Sequence, residues 1–119
     1  MKPLSVDSRD LFNWLNNQPN TRQWITHSAS HCFFSFYLRS RFKTKAIYVN
    51  ETYTRVAKNS RWTEYANPIW ITKLIQATNQ LYNPSLPLKF TNPTVGKKIN
   101  KKDILACAEK LLNKQREVA

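Results

Sequence analysis

Cys32-Phe33-Phe34-Ser35-Phe36-Tyr37-Leu38 passes directly into the basic run Arg39 to Lys45. Two alternating stretches follow, Ala46-Ile47-Tyr48-Val49 and Thr52-Tyr53-Thr54-Arg55-Val56. Aromatic material that must be buried here abuts cationic material that must stay hydrated, so this stretch decides which side of the molecule is core. Cys32, Phe33, Phe36 and Tyr37 fall on one helical face and Phe34 and Leu38 on a second, the pattern of a helix packed on two sides. A short aromatic run also suits a strand. Helix is preferred because Arg39 and Arg41 then lie at its carboxyl end, where the backbone dipole favours cations. Ser28 or Ser30 is placed to cap its start.

The two alternating stretches read as a β-hairpin. A loop of two or four residues beginning at Asn50 puts Ile47, Val49, Thr54 and Val56 on one face and Tyr48 and Arg55 on the other. Tyr53 joins the second set when the loop has two residues. A three-residue loop would carry Tyr53 and Arg55 to the Ile47 face and bury a guanidinium, so the even register is expected. Ala57 to Ala66 reads as loop, with Arg61 and Trp62 side by side.

Upstream, Ser5 or Asp7 caps a first helix whose Leu11, Trp14 and Leu15 form a buried stripe, and Pro19 stops it. Asn20 to Thr26 is a polar connection anchored by Trp24 and Ile25. Downstream, Asn67-Pro68 predicts a helix start, with Asn as cap and Pro in the first turn. Trp70, Ile71, Leu74, Ile75, Thr78, Leu81 and Tyr82 continue it on one face. Asn83 to Lys98 contains Pro84, Pro87 and Pro93 and reads as extended, with Leu88 and Phe90 pinned to the core as a short strand. Asn100 and Asp103 form a partial capping box before a last helix with the stripe Ile104, Leu105, Ala108, Leu111 and Leu112, which frays into a polar tail. The long connection leaves two seats open for residues 99–119, this core or a partner.

These elements fit one domain, 1–119, of the α+β class: an antiparallel hairpin or small sheet packed by three to four helices. A chain of 119 residues with 41% apolar residues can bury a real core. With one Gly, its turns must rely on Asn.

Charge is the strongest global signal. Nineteen Lys and Arg against seven Asp and Glu leave a formal +12. Such a field concentrates polyanions, whether a nucleic acid, an acidic protein or an anionic membrane. One basic cluster comprises Arg39, Arg41, Lys43, Lys45, Arg55, Lys58 and Arg61, interleaved with Tyr48, Tyr53 and Trp62. A second comprises Lys97, Lys98, Lys101 and Lys102, of which the last two lie where a helix dipole disfavours cations. Cations track phosphates and exposed aromatic faces accept bases, so the first mixture suits single-stranded nucleic acid. The expected function is a non-enzymatic nucleic-acid-binding accessory protein. The alternative is a protein–protein interaction module that binds an acidic partner through the last helix or the Trp62 region.

Other chemistries fit less well. His27, His31 and Cys32 offer too few ligands for a stable metal site, and Cys32 begins a buried face. Glu51 and Glu64 are the acids nearest the hairpin, too sparse for a metal-dependent nuclease. A single Gly excludes the common phosphate-binding loops. A winged helix-turn-helix would make Cys32 to Arg41 the recognition helix, yet that segment offers phenylalanines rather than polar groups to base edges. No enzyme activity, cofactor or metal is expected. Cys32 and Cys107 have no disulfide or metal-ligand spacing, and neither a leader nor a membrane-length apolar run is visible. A cytoplasmic protein without integral membrane association is expected.

Overall fold

The computed structural model describes residues 1–44, 46–81 and 97–118, with side chains as far as Asn113. In chain order the elements are β1 (Lys2–Pro3), α1 (Ser8–Asn16), β2 (Trp24–Ile25), α2 (Phe33–Phe42) and β3 (Ile47–Val49). They continue with β4 (Tyr53–Lys58), β5 (Arg61–Ala66), α3 (Ile69–Gln80), β6 (Lys98–Ile99) and α4 (Lys101–Val118). A four-stranded sheet in the order β1-β5-β4-β3 and a two-stranded ribbon, β2 with β6, pack with four helices. The α+β class is as expected. Strand β1 runs parallel to β5, and the other pairings are antiparallel.

The aromatic segment is a helix, and it is central. Phe33, Phe34, Ser35, Tyr37 and Leu38 of α2 are all buried, which leaves Phe36 at the margin. Its cap is Cys32 and neither serine. Ser28 Oγ instead accepts the His31 N–H at 3.0 Å, and Ser30 Oγ meets His31 Nδ1 at 2.7 Å, so both serines shape the turn ahead of the helix. Lys43 ends α2 in the left-handed region. At the amino end Asp7 caps α1 by accepting the Arg9 N–H at 2.9 Å, and Leu11 and Leu15 are fully buried.

The hairpin adopts the even register, with Ile47 opposite Val56, Tyr48 opposite Arg55 and Val49 opposite Thr54. Asn50 N–H donates to Tyr53 O at 2.8 Å, leaving Glu51 and Thr52 as a two-residue tip. Ile47, Val49, Thr54 and Val56 are buried beneath the sheet.

Ala57 to Ala66 is not loop. Strand β4 runs on to Lys58, turns through Asn59 and Ser60 and returns as β5, paired along its whole length. Both turn residues have positive φ, 52° and 62°, the geometry a tight right-twisted hairpin requires. Asn tolerates that region; Ser does so at a cost.

Asn67 is not a helix cap either. Its Oδ1 accepts from Thr54 Oγ1 at 2.7 Å, and its Nδ2 donates to the carbonyls of Asn50 and Glu51. Pro68 takes the cap position, its carbonyl accepting the N–H groups of Ile71 and Thr72. Thr72 Oγ1 donates to the Glu51 carbonyl and Gln76 Nε2 to the Glu51 carboxylate, so α3 is clamped to the hairpin tip. Ile71, Leu74, Ile75 and Thr78 face the core, but Leu81 is exposed just beyond the helix. Asn79 is buried as well, accepting the His27 N–H on its side chain and the His27 ring on its carbonyl. Tyr82 and the extended connection with Leu88 and Phe90 lie outside the described residues.

The capping box of α4 forms reciprocally, Asn100 N–H to Asp103 and Asp103 N–H to Asn100 Oδ1. Ile104 and Cys107 are buried, whereas Leu112 points outward. The helix continues to Val118 and packs against α3 and α1 of its own chain. Trp24 and Ile25, expected in an irregular connection, pair with Ile99 and Lys98 and tie the start of α4 to the body. Among the described residues no helix is long and apolar enough to cross a membrane.

Candidate nucleic-acid interface

The register that points Ile47, Val49, Thr54 and Val56 inward must point the alternate residues outward. The outer face of the sheet therefore carries Tyr48 on β3, Tyr53, Arg55 and Ala57 on β4, and Trp62, Glu64 and Ala66 on β5. None of them is buried. Arg55 sits between Tyr48 and Glu64, and Ala57 lies opposite Trp62.

Tyr48 and Trp62 stand on strands that flank β4 and lean toward each other across it, their ring centroids 5.5 Å apart and tilted by 43°. The small side chain of Ala57 leaves room for that approach. Both rings stay wet, Tyr48 at 45% and Trp62 at 49% exposure, which is unusual for residues of this size. The Arg55 guanidinium lies 5.3 Å from the centroid of the Trp62 ring, and its Nε is 3.4 Å from the Glu64 carboxylate. One strand thus presents a cation flanked by two aromatics and one acid.

Lys58 and Arg61 are partners in the β4–β5 ladder, and alternation puts them on the opposite side of the sheet from Arg55, beyond the core at the end of the hairpin. Lys43 is brought to the same end, because Thr44 Oγ1 donates to the Ala57 carbonyl at 3.1 Å and Ala57 N–H donates to Ala46. All three cations are exposed. The first basic cluster is therefore split between an aromatic outer face and a cationic end.

Arg39 packs its guanidinium 4.9 Å from the Phe36 ring centroid. Arg41 is paired within the chain, at the surface: its Nε and Nη2 both reach the Asp10 carboxylate, which also accepts from Tyr37 Oη at 2.7 Å. This clasp joins α1 to α2. The bonds from Arg41 and Tyr37 hold the Asp10 carboxyl below its ordinary range. Burial, reinforced by the Asp10 bond, pushes the Tyr37 hydroxyl up to about 12. Lys45 lies outside the described residues.

The second cluster spans β6 and the first turn of α4. Lys101 is engaged internally, its Nζ donating to the carbonyls of Asn16 and Gln18 at 2.9 and 2.7 Å. The Asn16 carbonyl ends α1 and that of Gln18 lies just beyond it, so the cation that opposes one helix dipole completes another. Lys97, Lys98 and Lys102 are exposed.

His27 and His31 do not share a helical face, since both precede α2. The Asn79 carbonyl can only accept, so His27 Nε2 bears the proton and is taken up by that bond. Burial pushes the Cys32 and Cys107 thiols up, away from nucleophilic use. Among the described residues no group of three or more His, Cys, Asp or Glu gathers to hold a metal.

Two features of the site escape sequence reasoning, the strand that carries Trp62 and the pairing of Arg55 with Glu64. The β-favouring residues Trp62, Thr63 and Tyr65 and the Asn59-Ser60 pair were the available signals. No protein-family model matches the chain, and no curated protein or solved structure shows significant similarity to it.

Proposed function

We propose that this chain is a cytoplasmic, non-catalytic accessory protein that binds single-stranded nucleic acid on the outer face of its four-stranded sheet. Bases stack on Trp62 and Tyr48, with Tyr53 at the edge of the surface. Arg55 contacts a phosphate beside the stacked base. Lys43, Lys58 and Arg61 at the hairpin end guide the backbone. The reading rests on one observation: two adjacent half-exposed aromatics flank an arginine on the outer sheet face of a +12 chain. Stacking does not depend on base identity and contributes about 1–3 kcal/mol per base. A duplex hides its base faces, so single strands are the preferred ligand. The two thiols, buried and unpaired, suit a reducing compartment.

The test is fluorescence anisotropy with a labelled single-stranded oligonucleotide and its duplex, at about 50 and 200 mM salt. Trp62→Ala and Tyr48→Ala are each expected to weaken single-strand binding by about 5- to 100-fold, with a smaller effect on the duplex. Unchanged affinity in both variants would refute the reading. A saturable complex with an acidic protein, without oligonucleotide affinity, would replace it with the interaction-module reading.

A further inference from the structure

We infer that Glu64 is a built-in competitor for the ligand phosphate, holding Arg55 over Trp62 until a phosphodiester takes its place. The inference rests on the proposed single-strand reading and names how that site is set.

Among the described residues Glu64 is the one acid on the outer face of the sheet. Glu51 is turned to Gln76 at the hairpin tip, and Asp10 is occupied by Arg41 and Tyr37. The Arg55–Glu64 contact is long for a charge-assisted bond, 3.4 Å against the usual ~2.7–2.9 Å. The side chains are 46% and 48% exposed, so water and salt screen them and the pair adds little stability. The guanidinium meanwhile lies over part of the Trp62 ring, 5.3 Å from its centroid, while the rest of the residue stays exposed. Arg55 is therefore held weakly, in the place a base would occupy.

A phosphodiester offers two anionic oxygens that can accept two parallel N–H bonds from a guanidinium, where Glu64 makes a single long contact. Moving Arg55 onto phosphate uncovers Trp62 beside Tyr48, so phosphate contact and base stacking become one event. A base without an adjoining phosphate would have to displace Arg55 unaided. The site should therefore discriminate against free nucleosides, and Glu64 raises the threshold for every weak polyanion.

The test compares Glu64→Gln with Glu109→Gln, which makes the same change in net charge at an exposed position on α4. Affinity for a single-stranded oligonucleotide is measured in both, and again in an Arg55→Gln background. Glu64→Gln is expected to bind about two- to fivefold more tightly than Glu109→Gln, and Arg55→Gln should abolish that gain. If the wild type binds and the two variants are equal, or if the gain survives in Arg55→Gln, the competitor role is wrong while the single-strand reading stands. If the wild type does not bind, both are overturned.

Discussion

Asp10 and Arg41 show why cations cannot be assigned to a ligand from sequence alone. Arg41 lies in the middle of a basic run, yet its carboxylate partner is on another helix and invisible to any local pattern. Lys101 repeats the lesson, since the carbonyls it serves lie at and just beyond the far end of α1. Each of these contacts joins residues remote in sequence. The Asp10 clasp has a defined pH signature. Its folded carboxyl titrates below the ordinary 3.8, so the stability it contributes is present above that pH and is lost as pH falls through the lower folded value. Tyr37 carries the opposite sign: its folded value of about 12 lies above the ordinary 10.0, so its contribution is complete below pH 10 and fades toward 12. Asp10→Asn should lower the melting temperature at neutral pH, flatten the acid limb and bring Tyr37 back toward its ordinary titration. Thermal melts across pH, with tyrosinate absorbance, check this. A variant whose Tyr37 titration does not move would show that the clasp contributes nothing to it.

At the scale of elements, the hairpin register was legible because the alternative would bury Arg55. The four helices were legible from apolar spacing, and the Asn100–Asp103 box from its separation. Strand β5 was not legible, since none of its residues is fully buried and its turn lacks the Gly that marks such hairpins. Asn67 misled for a different reason. Asn-Pro is an ordinary helix start, but here the buried amide is worth more as the link between Thr54 and the Asn50 and Glu51 carbonyls. The turn makes a sharp prediction. Ser60 holds φ at 62° with a Cβ that crowds its carbonyl. Ser60→Gly should therefore stabilise the protein by about 1 kcal/mol in chemical denaturation. A loss of stability would mean that this turn is not held in the left-handed region in solution.

For the whole molecule, the sequence showed an excess of positive charge but not how the sheet divides it. Neighbours in the chain, such as Arg55 and Lys58, fall on opposite faces because strand alternation separates odd from even positions. The outer face emerges as the less charged and more aromatic surface, with cations gathered at its end. On such a surface stacking supplies affinity while charge steers approach. The most direct measurement is an amide NMR titration of the protein with a short single-stranded oligonucleotide at about 150 mM salt. The account predicts the largest shifts at Tyr48, Arg55, Ala57, Trp62 and Glu64, with a marked change at the Trp62 indole N–H. Shifts confined to Lys97, Lys98 and Lys102, with the sheet face silent, would contradict it.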